Sequence, residues 1–112
     1  MAQLKEEVCE ACQVGAPQLT PKEIAELHVQ IPAWQLAEDD GVKKLRRAFS
    51  FNNFAEAMAF ATKVGELAEA HNHHPAVTVE WGRVTVLWWT HKIHGLHRND
   101  AIMAAKTDIL FT

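Results

Sequence analysis

The chain has 112 residues, 48% hydrophobic and 22% charged, with a formal net charge of −3. This length supports one hydrophobic core rather than two, the composition is that of an ordinary globular domain, and the lack of a basic balance argues against a non-specific nucleic-acid binder. There is no tyrosine, and Ser50, the only serine, has no nucleophile motif around it. Acid–base chemistry therefore falls to histidine and carboxylates, with lysine as an outside candidate.

Met1 to Glu10 contains one lysine and three glutamates and no apolar run of signal-peptide length. The expectation is a cytoplasmic protein with neither leader nor membrane span. Cys9 and Cys12, the only two cysteines, do not make a disulfide framework. Residues 1–18 lack periodicity and include Gly15-Ala16-Pro17, so they read as a weakly ordered segment ahead of a single domain over 19–112.

Thr20-Pro21-Lys22-Glu23 is a helix start, with an N-cap threonine, proline at the first helical position and a glutamate placed for a capping box. Ile24, Leu27 and Ile31 continue one stripe until Pro32. Trp34 to Glu38 and Val42 to Phe51 read as strands joined through Asp39-Asp40-Gly41, which is turn chemistry. Lys43, Lys44, Arg46 and Arg47 read as the solvated face of that hairpin. Asn52-Asn53 caps the longest helix, to about Ala70, with Phe54, Ala57, Met58, Ala61, Val64 and Ala68 at helical spacing. Phe60 and Leu67 widen its apolar arc, which suggests two contacts, one to the sheet and one to another chain.

Pro75 forbids helical dihedrals at His74, so the helix ends before it. Val77, Val79 and Trp81 alternate with polar residues, Gly82-Arg83 turns, and Val84 to His91 reads as the last strand. A final helix begins between His97 and Asn99, with Ile102, Met103, Ala105, Ile109 and Leu110 as its buried side. The order α-β-β-α-β-β-α predicts an α+β fold, a four-stranded antiparallel sheet with helices on one face.

Histidine is concentrated at the joints of this pattern. His71, His73 and His74 stand at the end of the long helix, and the second hairpin returns His91 and His94 towards them. His28 and His97 read as structural, and His71 as a solvent-facing residue whose positive charge suits a helix C-terminus. His73, His74 and His91, with Asp100, are candidates for a metal site, and Cys9-x-x-Cys12 is half of a zinc motif. A second such pair and a helical His-x-x-x-His are both missing, which favours direct acid–base chemistry over a metal.

Glu69, then His73-His74-Pro75, Trp81, Thr90-His91 and Asp100 together resemble the signature of the pterin-4a-carbinolamine dehydratases. Trp34, Phe49-x-Phe51-x-x-Phe54 and Trp88-Trp89-Thr90-His91-Lys92 through Asn99-Asp100 extend the resemblance over roughly residues 20–112. It implies the same fold and the dehydration of a 4a-hydroxytetrahydropterin (the 4a-carbinolamine) to the quinonoid dihydropterin, recycling the pterin of aromatic amino-acid hydroxylases. No cofactor and no metal is implied. Carried over to this sequence, His73 and His91 are the acid–base pair, and Asp100 orients His91. His74, Glu69, Thr90 and Trp34 bind the pterin. The resemblance also implies a homodimer or homotetramer. Animal relatives double as dimerisation partners of a transcription factor, which makes an interaction protein the alternative. Asn72 departs from the acidic residue that some relatives carry there.

Overall fold

The computed structural model of the protein describes residues 3–7 and 17–111. Cys9 and Cys12 lie outside them. A 3₁₀ turn at Leu4–Glu6 precedes α1 (Pro21–His28), β1 (Gln35–Asp39), β2 (Val42–Ser50), α2 (Phe54–His71), β3 (Ala76–Glu80) and β4 (Arg83–Trp88). A second 3₁₀ turn (His91–Ile93) then leads to α3 (Arg98–Phe111). The strands form one antiparallel sheet in the order β1-β2-β4-β3, with the helices packed on one side of it, as the sequence pattern predicts.

Local chemistry sets most element ends. Thr20 and Glu23 form the reciprocal capping box of α1, and Asn53 accepts from the Glu56 N–H at the start of α2, each satisfying donors that a helix start otherwise orphans. Asp39 pairs with Val42, leaving Asp40 and Gly41 as a two-residue loop with φ of 52° and 77°. Two successive positive φ angles match the right-handed twist of the strands they join. The second hairpin turns at Trp81-Gly82, one residue earlier than the sequence suggests, because Glu80 pairs with Arg83.

Period-two alternation places Leu45 and Phe49 of β2 and Val84, Val86 and Trp88 of β4 on the helix-facing side, all buried. They meet Ala57, Phe60, Val64 and Ala68 of α2 and Ala101 to Ala105 of α3. Burial of apolar side chains of this size contributes about 1.5–3 kcal/mol each. Arg47 shares this inward register and corrects the expectation of a solvated face. Its guanidinium lies over Phe49, 4.4 Å from the ring centre, and pairs with Asp108 of α3 at 2.5 Å.

Asp108 also accepts from the Trp34 indole N–H at 2.8 Å. Trp34 is 1% exposed and meets Phe49 edge to face. It stands ahead of β1, at the sheet edge opposite β3. α3 is buried nearly all round because the N-terminal turn covers its outer side. There Leu4 is 0% exposed, and Glu7 pairs with Arg98 at 2.6 Å. The Arg98 guanidinium holds the Glu7 carboxyl below its usual value, first through the hydrogen bond. Residues 3–7 of the segment expected to be weakly ordered are thus docked on α3, whereas Ile109, expected to be buried, is 47% exposed.

Candidate active site

The C-terminus of α2 delivers the first half of the site. Asn72 adopts the left-handed conformation (φ 50°, ψ 42°), its N–H donates to Glu69 O, and the His73 N–H donates to Ala68 O at 3.1 Å. These two bonds make a Schellman closure, which satisfies the last helical carbonyls and reverses the chain. His73 and His74 consequently leave the helix axis together, and Pro75 commits His74 to the extended backbone that enters β3. Asparagine tolerates the left-handed region better than other side chains. Asn72→Ala is therefore expected to cost about 1 kcal/mol of stability while Asn72→Gly costs less. Urea denaturation checks this, and equal losses in the two variants would contradict it.

The second half comes from beyond β4. The strand stops at Trp88, three residues short of the expected His91. Thr90 and Gly95 form an isolated bridge, and His91–Ile93 is a 3₁₀ turn closed by His94 in the left-handed conformation. Gln18 holds this loop by donating to Ile93 O at 3.0 Å. A Cβ on Gly95 would lie 2.4 Å from the end of the Gln18 side chain, so a larger residue there would displace Gln18 from the loop.

Asp100, in the first turn of α3, is 0% exposed. Its Oδ1 accepts from His73 Nε2 at 2.7 Å, and its Oδ2 accepts from the Thr90 hydroxyl at 2.7 Å and the His97 backbone N–H at 2.9 Å. Charge-assisted bonds of this kind are the stronger ones, and a helix N-terminus favours the anion further. Asp100 thus holds His73 and not His91, correcting the role assigned from the sequence. The His73 ring stacks on Trp88 with an interplanar angle of 11°, and Trp88 is itself fixed by its indole N–H on Thr107 at 3.1 Å.

His74 and His91 complete the cluster. His74 Nε2 meets Glu69 at 2.5 Å, and His91 Nε2 meets the His74 backbone carbonyl at 3.2 Å. The His91 ring lies 4.4 Å from that of Trp89, over which the Lys44 ammonium sits at 4.1 Å. The partner of Nε2 in His73, His74 and His91 is in each case an oxygen that only accepts, so Nε2 carries the proton. Neutral rings held this way keep the Nδ1 lone pair for proton exchange with a bound molecule.

The structure therefore brings together His73, His74, His91, Asp100, Glu69 and Thr90. It does not bring Trp34 to them, since that ring belongs to the core. Thr90, expected to bind substrate, is 3% exposed and spends its hydroxyl proton on Asp100. His28 donates to Trp34 O, and His97 Nδ1 accepts from the Asn99 N–H, both local partnerships. His71 is half-buried rather than solvent-facing, and burial, then the nearby Lys106 charge, holds its imidazole below the usual histidine value. His97 and Trp88 were missed as parts of the site. The Trp88–His73 contact needs the tertiary fold, whereas His97 stands only three residues before Asp100 and its N–H bond to Oδ2 is local to the helix start. Among the described residues, no group of three or more His, Cys, Asp or Glu is placed to hold a metal ion, and no helix is long and apolar enough to cross a membrane.

Comparison with known proteins places this site in a family. The model of the pterin 4 alpha carbinolamine dehydratases matches residues 17–110, and the chain belongs to that family. A protein of Syntrophotalea carbinolica named "Putative pterin-4-alpha-carbinolamine dehydratase" is 59% identical, with 98% of each chain covered. One of the same name from Nitrosococcus oceani is 58% identical over 91% of this chain and 90% of its own. Among solved structures, the transcriptional coactivator/pterin dehydratase from Brucella melitensis superposes with a TM-score of 0.76 at 30% identity, covering 86% of this chain and all of that one. A pterin dehydratase-like protein described as a RuBisCO assembly factor in the alpha-carboxysome shares the fold, with a TM-score of 0.59 at 22% identity over 70% of this chain and 88% of its own.

Proposed function

We propose that the protein dehydrates 4a-hydroxytetrahydropterins to the quinonoid dihydropterin by general acid–base catalysis with His73 and His91. In this reaction the C4a–O bond breaks, the hydroxyl takes a proton and leaves as water, the N5 proton is removed and a C4a=N5 double bond forms. One imidazole enters protonated at both nitrogens and donates its Nδ1 proton to the leaving hydroxyl. The other enters neutral and accepts the N5 proton at Nδ1, so the pair ends the turnover with the same number of protons. Assistance of this type is worth about 10²–10⁴-fold. His74 and Glu69, partly exposed beside the pair, bind and orient the pterin ring.

The observation that supports this reading most is the buried Asp100 carboxylate clamped to His73 Nε2. A positioned histidine with one fixed tautomer is what proton transfer requires. The family membership supports the substrate class. The reaction returns a pterin to the form that an aromatic amino-acid hydroxylase consumes after reduction, which places such an enzyme upstream of this one. A homodimer or dimer of dimers is proposed through the open side of α2, where Phe54 and Met58 are 49% and 43% exposed.

No metal enters this chemistry. Protein treated with a strong chelator and desalted is expected to dehydrate freshly made 4a-hydroxytetrahydropterin at its full rate, followed by the loss of the carbinolamine absorbance. A rate abolished by chelation and restored by a divalent cation would favour a metal reading of the histidines instead.

A further inference from the structure

We infer that Thr90 is a positioning residue for His73, acting through Asp100. The inference rests on the acid–base reading of His73, but its first readout is independent of activity. Asp100 has two oxygens and three donors around it, and the division of those donors is uneven. Oδ2 takes both the Thr90 hydroxyl and the His97 backbone N–H, which among the described residues leaves Oδ1 to His73 alone. A carboxylate can turn about its Cβ–Cγ bond. The His97 N–H is a single backbone donor on the same helix turn as Asp100 and holds one oxygen only. Thr90 comes from a different element, so its bond cross-links the end of the β4 segment to α3 and stops that rotation.

Thr90 itself is held independently of its side chain. Its backbone N–H donates to Gly95 O at 2.8 Å, so the hydroxyl arrives at Asp100 from a fixed Cα. The hydroxyl has one proton, and that proton is used. Thr90 is 3% exposed and Asp100 0%, so their bond is shielded from bulk solvent. The geometry makes Thr90 the group that keeps Asp100 aimed at Nε2, and hence keeps the His73 proton on Nε2 and its lone pair on Nδ1.

The test is Thr90→Val, which preserves shape and removes only the hydroxyl, with Thr90→Ser restoring it and Thr90→Ala as a second removal should the valine fail to fold. In ¹⁵N-labelled wild-type protein, two-bond ¹H–¹⁵N correlations should show neutral His73 as the Nε2–H form. In the valine or alanine variant a population of the Nδ1–H form should appear. With freshly made 4a-hydroxytetrahydropterin, kcat is expected to fall about 10- to 100-fold, the scale of one lost bond to a charged group, with KM changed far less and serine restoring both readouts. An unchanged tautomer in Thr90→Val would overturn the inference, whether or not activity falls. A tautomer change in a protein whose wild type leaves the spontaneous dehydration rate unaltered would leave Thr90 as the positioning residue and remove the acid–base reading of His73.

Discussion

Asp100→Asn is expected to lower kcat by about 10²–10⁴-fold, the full worth of one acid–base group, in a protein that still folds. Three donors converge on the wild-type carboxylate, two of them on Oδ2. An asparagine has one acceptor and one donor end. Its oxygen must stay where the Thr90 hydroxyl and the fixed His97 N–H both point, so its NH₂ faces His73 Nε2. That nitrogen can accept only by giving up its proton, which moves to Nδ1. The ring stays in place against Trp88, but its lone pair is now aimed at the protein and its N–H at the substrate. The same exchange in a serine-protease triad costs about 10⁴-fold for the same reason, the wrong tautomer. Steady-state kinetics together with histidine ¹⁵N correlations check the prediction, and a variant with wild-type kcat would contradict the assigned geometry.

His73→Ala and His91→Ala are expected to bring the rate close to the spontaneous one and yet differ in stability. Among the described residues, His73 is the only partner of Asp100 Oδ1, and Asp100 itself has no solvent exposure. Removing it leaves a buried charge short of a donor, at a cost of about 1.5–3 kcal/mol. His91 is exposed and bonded to a backbone carbonyl, so His91→Ala should cost no more than about 0.5 kcal/mol. Urea denaturation beside the dehydration assay separates the two losses. Activity that survives either substitution would contradict the acid–base pairing, and equal destabilisation would contradict the buried-pair account of His73.

Element ends were legible because their chemistry is local. Thr20 with Glu23, Asn53 with Glu56, Asp40-Gly41 and the His74-Pro75 step each act within a few residues. The family was legible because its signature couples residue types at fixed spacings from Glu69 to Asp100. The wiring of the site was not. Asp100 lies nine residues beyond His91 and 27 beyond His73, and the role carried over from the family resemblance pairs it with His91, whereas the fold pairs it with His73. What decides the pairing is the 3₁₀ turn at His91–Ile93, which takes His91 off the line of β4 while α3 swings Asp100 back under His73.

Arg47 illustrates the same limit. In Lys43-Lys44-Leu45-Arg46-Arg47, charges fall on both faces of a strand, and only Asp108, 61 residues later, turns one of them inwards. Trp34 matches a family residue implied to bind the pterin, although a tryptophan by itself reads more readily as core than as a pterin contact. The edge-to-face contact with Phe49 and the bond to Asp108 place it in the core. Ile109 keeps helical spacing yet stands exposed, because the helical period identifies a face without saying how far along the helix its covering extends.

The most direct measurement of the proposed activity is the dehydration of freshly generated 4a-hydroxytetrahydropterin with and without the wild-type protein at neutral pH. The prediction is a rate that rises in proportion to protein concentration and far exceeds spontaneous dehydration. A rate that stays at the spontaneous value, with protein shown to be folded, would contradict it.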